Sequence, residues 1–449
     1  MSTAALLGPY HPDGTLAWTN GSPITCHRFL SEVATLVDRL PEKSTVINLA
    51  EDRYRFFVGL AAALVRGQTT LLPPGRAPRV LTQIVEDYDD SYCLIDGQAG
   101  VAGLPSVHIL SAYGSSAEGQ HVVPQIPTNH TAVVAFTSGS TGTPRPNPKT
   151  WGSLVAVARH TGARLGLTPT ENVTVVATVP HQHMFGLETS LLLPTQFGLP
   201  FHTGRPLYPE DVRSTLGSVP PRRILVTTPL HIKACVTERT RLPGIEFILS
   251  ATAPLPMALA QQAETLFDTK VYEVYGFAEA GSVATRRTVA GDIWQLLDRV
   301  SLSKESDRYS LRADYLPEPV PFPDHISLKG SRAFVLHGRN ADLVNIAGHR
   351  GSLGDLNQKL NEIEGVRDGV FLFPEKDEDP VTRLMAFVVA PGKSADQILG
   401  DLRTVIDPVF LPRPLYLVPN LPRNETGKLT RESLLELARQ LRCEDHRDI

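Results

Sequence analysis

The sequence predicts an α/β protein: a large N-terminal domain of layered sheets and helices with a β subdomain, then a small α+β domain. Three observations carry that expectation. From residue 44 to about 275, short β-rich runs alternate with helical stretches, the pattern of parallel strands joined by crossover helices. The strand runs (45–49, 69–72, 91–95, 132–136, 173–178, 224–227, 245–249 and 271–274) are mostly apolar on both faces, as strands covered by helices on two sides should be. After about Gly281 the texture breaks into shorter pieces, then recovers as a separate unit near the end.

Helices are expected at 54–66, 256–267 and around 186–196, with another beginning near Trp151. Beyond Gly281, strand-like pieces at 327–329 and 333–336 and a proline-rich turn at 316–323 define a mostly β subdomain, about 282–340, of a domain spanning 1–340. The stretch 343–449 is expected to hold a helix at 353–364, strands at 370–373 and 385–389, and a helix at 395–406. A strand at 414–418 and a closing helix at 430–442 complete it. A segment of that length can bury a small core of its own.

Composition excludes several classes. The chain has 449 residues, 42% of them hydrophobic and 20% charged, which fits a globular protein of two or three domains. Net charge is −4, so a general electrostatic grip on nucleic acid or an anionic membrane is not expected. Four cysteines, Cys26, Cys93, Cys235 and Cys443, form no CxxC pair, which argues for free thiols. No basic-then-apolar leader opens the chain and no run of ~18 apolar residues occurs, so a cytoplasmic enzyme is the expectation.

The strongest local signal is Phe136-Thr137-Ser138-Gly139-Ser140-Thr141-Gly142-Thr143-Pro144-Arg145, which follows an apolar strand and precedes a helix. Small hydroxylated residues leave backbone N–H groups open to phosphate oxygens. It is not a Walker A loop, since Thr143-Pro144 stands where that loop needs Gly-Lys. The bland reading is a flexible Ser/Gly turn. His181 and His183 are separated by one residue, but no third ligand with zinc spacing follows, so a histidine packed at a strand end weighs more than a metal site.

The loop is followed in order by Val179-Pro180-His181-Gln182-His183-Met184-Phe185-Gly186-Leu187, then Ser250-Ala251-Thr252-Ala253-Pro254-Leu255 and Val274-Tyr275-Gly276-Phe277-Ala278-Glu279. His337-Gly338-Arg339-Asn340-Ala341-Asp342, Asn345-Ile346-Ala347-Gly348-His349-Arg350 and Leu421-Pro422-Arg423-Asn424-Glu425-Thr426-Gly427-Lys428 complete the set. This ordered series, from about residue 45 to 440, resembles the adenylate-forming superfamily that contains acyl-CoA synthetases, peptide-synthetase adenylation domains and luciferases.

The resemblance implies ATP and Mg²⁺ as cofactors and a mobile C-terminal domain hinged at Ala341-Asp342. Thr137, Ser138, Gly139, Ser140, Thr141, Gly142 and Thr143 would hold the β- and γ-phosphates. Tyr275 would lie against adenine, with Gly276 beside it and the Ala251, Thr252 and Ala253 backbone lining the same slot. Asp324 would meet the ribose hydroxyls, Arg339 the ribose or phosphates, and Arg350 counts among the nucleotide-binding residues. Glu279 would hold Mg²⁺, a hard cation suited to carboxylate oxygen. His183 would gate the acyl pocket, and Lys428 would bridge the substrate carboxylate and the α-phosphate. A carboxylate attacking the α-phosphate joins two anions, so positive charge is needed where negative charge builds up.

The chain departs from the family pattern at Arg145-Pro146, where Lys-Gly is usual, at Ala278, where a threonine is usual, and at Ala341. Pro146 fixes the backbone and removes a donor, and Lys149 is the nearby cation that could share the charge role. The compact length and Arg145-Pro146-Asn147-Pro148-Lys149-Thr150-Trp151 look like the stand-alone aryl-acid ligases of aryl-polyene and xanthomonadin-type pigment pathways, which load an acyl carrier protein. Ala251-Thr252 replaces the consecutive glycines of many long-chain enzymes and implies a short or planar acid. Three readings stay open here: a ligase passing an acyl group to a carrier protein or to CoA, a degenerate nucleotide-binding module, and an adenylating enzyme feeding an oxidation or amide bond. Within the first, a hydroxybenzoate-type acid is set against a short or medium fatty acid.

Overall fold

The computed structural model describes residues 2–9, 11–97, 100–109, 122–138, 144–169, 172–305, 308–339, 343–346, 349–373, 384–423 and 429–445. The chain divides into two compact units: 1–291 with 295–303 and 311–320, and 321–449 with 292–294 and 304–310. The expected β subdomain is thereby shared, with the strand Gly281–Arg287 in the first unit and the strands Asp324–Leu328 and Ala333–Arg339 in the second.

Two large sheets dominate the first unit, beside a small two-stranded one, Thr3–Ala5 with Gln125–Pro127, and its α/β character matches the expectation. One sheet runs in the order Pro144–Thr150, Thr131–Ser138, Thr69–Leu72, Thr45–Asn48, Ser91–Ile95, Ser106–His108, parallel throughout except for the Pro144–Thr150 edge. The other has a parallel centre, Thr174–Ala177, Arg223–Thr227, Phe247–Ser250 and Lys270–Phe277, with Gly281–Arg287 returning antiparallel. Helix Arg53–Val65 (RYRFFVGLAAALV) is buried on nearly every face because it has almost no polar stripe to show to water. Phe56, Phe57, Leu60 and Leu64 join the main core with Val46, Val175, Phe201 and Ile224. Asp52 caps this helix, accepting from Arg55 N at 2.9 Å, and Thr150 caps helix Trp151–Arg164, accepting from Ser153 N at 3.2 Å.

The Pro144–Thr150 strand is a departure from the loop the sequence suggests. Prolines at 144, 146 and 148 face Ser138, Phe136 and Val134 across an antiparallel register. Proline has no N–H, so the ladder bonds fall on Arg145, Asn147 and Lys149, and the three prolines turn their missing donors outward from a sheet edge. The same spacing that removes donors also protects the edge from further pairing.

In the second unit, strands Asp368–Leu372 and Met385–Val389 pair antiparallel and Leu415–Leu417 adds in parallel. Alternation sends Phe371, Ala386 and Val388 to one face, where they meet Leu356 and Leu360 of helix Leu353–Glu362 and Ile398 and Leu402 of helix Ala395–Val405. Val370, Leu372, Met385 and Phe387 face the other way, onto Leu434 and Ala438 of helix Arg431–Asp445. This sheet is therefore covered on both sides, as its apolar runs require.

Candidate active site

The carboxyl ends of the first unit's central parallel strands gather most of the motif residues that fall within the described part of that unit. Register sets Ala177 beside Val226, Thr227 beside Ser250, and Ser250 beside Glu273, so the segments leaving these strands emerge along one edge. In open parallel sheets that edge is where ligands bind. Val179–Leu187, Ser250–Leu255 and Tyr275–Glu279 all lie on it.

The first of these is pinned from below. Arg53, 1% exposed, donates through Nη1 to His202 O and Gly204 O, both at 3.2 Å, and through Nη2 to Ala177 O at 3.2 Å and Val179 O at 2.9 Å. One guanidinium thus fixes the ends of two neighbouring strands. His181 Nε2 and Gln182 Nε2 both lie 3.1 Å from Ala50 O, and the His181 ring packs on Phe56 with centroids 4.6 Å apart. Burial, with Arg53 nearby, holds the His181 imidazole well below its usual range, so it is a neutral core histidine. His183, half-buried, stands at the N-cap of the short helix Met184–Leu187.

The Ser250–Leu255 segment is held by a carboxylate. Glu273 accepts from Leu255 N at 2.9 Å, Arg286 Nε at 2.6 Å and Thr288 Oγ1 at 2.6 Å. Above that anchor, Thr252 takes φ +79°, a conformation that suits glycine and strains a β-branched residue. Ala251 is buried, Thr252 and Ala253 are half-buried, and Ser250 Oγ is buried with no hydrogen-bond partner among the described residues.

Tyr275 and Glu279 belong to one hairpin. The register slips between Tyr275 and Gly276, a bulge of the kind found beside functional sites. Gly276 is required there, since a Cβ would stand 2.4 Å from Gly281 O. Tyr275 is half-buried with its ring centroid 6.4 Å from that of Phe277, and Glu279 is exposed at the turn. Beneath the turn, Lys149 Nζ donates to Glu279 O at 2.5 Å, and Glu188 Oε2 accepts from Ser282 N at 3.1 Å and Ser282 Oγ at 2.5 Å. Burial lowers the Lys149 ammonium and raises the Glu188 carboxyl, and their mutual attraction opposes both shifts.

A family model for an AMP-binding enzyme matches residues 40–304, more than half of the chain. The chain belongs to the AMP-binding enzyme family. Among the relatives of this AMP-binding enzyme, a 4-coumarate–CoA ligase of Rhodobacter capsulatus is 31% identical over 282 residues, 61% of this chain and 68% of that protein. A 4-coumarate–CoA ligase of Halorhodospira halophila is 28% identical over 312 residues, 67% of this chain and 76% of that protein. The fold is shared with o-succinylbenzoate CoA synthetase from Bacillus subtilis in complex with an acyl-adenylate intermediate. There the TM-score is 0.81 at 17% identity, covering 94% of this chain and 95% of that one. An anthranilate CoA ligase in complex with anthranoyl-AMP gives a TM-score of 0.79 at 15% identity, covering 96% and 95%.

The remaining expected site residues of this AMP-binding enzyme divide in two. Thr137 and Ser138 end the strand Thr131–Ser138, whereas Gly139, Ser140, Thr141, Gly142 and Thr143 lie outside the described residues, as do Ala341-Asp342 and Lys428. In the second unit, register sets Asp324 opposite Arg339 on adjacent antiparallel strands, and Arg350 opposite Asn345. Asp324 is 8% exposed, so the acidic position chosen on a weak motif is a buried strand end beside Arg339. Glu188, Glu273 and Arg53 escaped the sequence reading. Each resembles a surface charge until the fold buries it, and the one usable signal is a charged residue interrupting an apolar run, as Glu188 does in Gly186-Leu187-Glu188-Thr189-Ser190-Leu191-Leu192.

Among the described residues no helix is long and apolar enough to cross a membrane.

Proposed function

We propose that this AMP-binding enzyme activates a carboxylic acid with ATP to an acyl-adenylate and then passes the acyl group to a phosphopantetheine thiol. The observation that carries the reading is the carboxyl edge itself. It sets an aromatic ring at 275, a carboxylate at 279 and the 251–253 backbone at the carboxyl ends of neighbouring strands of one sheet. The donor set fits the nucleotide: Tyr275 offers a face for adenine, and the exposed Glu279 carboxylate is the hard oxygen ligand that would hold Mg²⁺. Bound there, Mg²⁺ would neutralise charge on the phosphate oxygens. Glu273 fixes the Leu255 backbone, and Arg53 with Ala50 fixes the turn that presents His183. Lys428 would supply positive charge at the α-phosphate.

For the acid, we infer an aryl acid such as a hydroxybenzoate. Ala251-Thr252 stands where many long-chain members of the family have consecutive glycines, so its side chains would narrow the acid pocket, and relatives carry the names 4-coumarate–CoA ligase and, in Rhodopseudomonas palustris, 4-hydroxybenzoate–CoA/benzoate–CoA ligase. For the acceptor, an acyl carrier protein is the proposal, supported by the Pro-rich arm after the phosphate loop. CoA is the second reading, favoured by the names of those same relatives. A short or medium fatty acid goes with it.

Acid-dependent pyrophosphate release over a panel of aryl and fatty acids, with CoA or carrier protein added, tests this directly. A hydroxybenzoate should exceed palmitate in kcat/KM by at least about tenfold, because one or two misfitted groups cost ~1–3 kcal/mol. Thr252→Gly should narrow that ratio. Equal values for both acids in the parent enzyme would overturn the aryl assignment, and no release with any acid would overturn the ligase.

A further inference from the structure

Two buried opposite charges are left unused by the chemistry above. Lys149 is 7% exposed and Glu188 3% exposed, and no direct ion pair joins them among the described residues. Each spends its charge on the same turn instead. Lys149 lies on the strand that leaves the phosphate loop and donates to the carbonyl of Glu279 on the way into the turn. Glu188, which opens the π-helical turn Glu188–Leu192 after the His183 segment, accepts from Ser282 on the way out.

Two further details show that this arrangement is built rather than incidental. Gly281 adopts φ +75°, and a Cβ there would stand 2.6 Å from Glu188 Oε1, so the turn has room only for the carboxylate. That Oε1 has no hydrogen-bond partner among the described residues, so the network is incompletely satisfied. Burying charge is costly, and an apolar pair of similar volume would generally hold a core as well or better. What an apolar pair cannot do is fix the Glu279 carbonyl and the Ser282 N–H at set positions in the turn.

We propose that Lys149 and Glu188 are positioning residues that lock the 278–282 turn, and so aim the Glu279 carboxylate, against the arm of the phosphate loop. Three segments distant in sequence then meet at one node: the loop arm, the segment following His183 and the Tyr275–Glu279 hairpin. The inference rests on the adenylation reading. It predicts that the node matters for nucleotide carrying its metal and much less for nucleotide without it, since Glu279 is the group being aimed.

Calorimetric titration with ATP in Mg²⁺ and with ATP in EDTA separates these cases. Lys149→Met should weaken ATP binding in Mg²⁺ by about tenfold or more, raise the half-saturating Mg²⁺ concentration by a similar factor, and change ATP binding in EDTA less than twofold. Glu188→Gln should shift the same quantities in the same direction. The double variant, with neither charge left unpaired, should recover thermal stability lost by either single variant while keeping the weakened Mg²⁺-dependent binding. Equal losses with and without metal, or a double variant that recovers metal-dependent binding together with its Tm, would reduce the node to a structural role and overturn the proposal. A parent enzyme that binds no ATP in either buffer overturns the adenylation reading instead.

Discussion

His202 shows how a single buried side chain makes this protein's stability depend on pH. Its Nδ1 accepts from Gly204 N at 3.0 Å, which leaves the proton on Nε2 and the ring neutral. Burial, and then the Arg53 guanidinium, lower its pKa to about 4. The unfolded chain therefore takes up a proton near pH 6.5 that the folded protein refuses until about pH 4. Stability from this group is full above about pH 6.5 and drains away as the pH falls through that window, by at most on the order of 3 kcal/mol. His181, lowered for the same main reason, adds to the slope. His202→Asn retains an acceptor for Gly204 N and cannot titrate, so urea midpoints measured from pH 7 to 4 should fall less steeply than in the parent. Identical slopes would show that His202 is not the source.

At the scale of the element, the Pro144–Thr150 strand separates what composition suggests from what register permits. Its prolines sit where the backbone donor faces out of the sheet, so Pro146→Ala restores an N–H that has no ladder partner, and stability should change by less than about 1 kcal/mol. Asn147 sits opposite Ala135 at a position whose N–H belongs to the ladder. Asn147→Pro removes that donor and strands an acceptor, at a cost of about 1–3 kcal/mol, and should lower Tm by several degrees. Thermal denaturation of the two variants side by side decides it. Equal effects would mean that the strand is paired in the other register.

For the whole molecule, activation and thiol transfer would place different demands on the C-terminal segment that carries Lys428. Adenylate formation would need that lysine at the α-phosphate, whereas transfer would need the thiol admitted instead, and a turn about Ala341-Asp342 would serve both. Such a turn would be carried by backbone torsions and would not need a side chain longer than that of Ala341. Lys428→Ala should slow adenylate formation about a hundredfold or more, a loss of ~3 kcal/mol of transition-state stabilisation, yet form thioester from pre-made acyl-adenylate near the parent rate. Ala341→Pro should slow mainly whichever half-reaction needs the other orientation. Single-turnover assays of each half-reaction read this out, and equal slowing of both by Lys428→Ala would remove the alternating account.

Secondary structure was legible wherever local pattern is sufficient. Runs 69–72, 91–95 and 385–389 coincide with strands Thr69–Leu72, Ser91–Ile95 and Met385–Val389, because they are runs of four or five mostly apolar residues, too short for helices. The helix starting at Trp151 follows from its Thr150 cap, and the motif series marked the residues that come together on the carboxyl edge. The Pro144–Thr150 strand was not legible, since three prolines argue against a strand until an edge position and a register are known. Nor were Arg53, Glu188 and Glu273. Glu188 and Ser282 are 94 residues apart, and Arg53 and Val179 are 126 apart. Sequence by itself determined the alternating architecture, the family and the order of the motifs, because these depend on periodicity and local residue type. Only tertiary structure decided which charges are buried and which backbone groups they hold, because burial and long-range hydrogen bonds belong to the packed chain and to no local stretch of it.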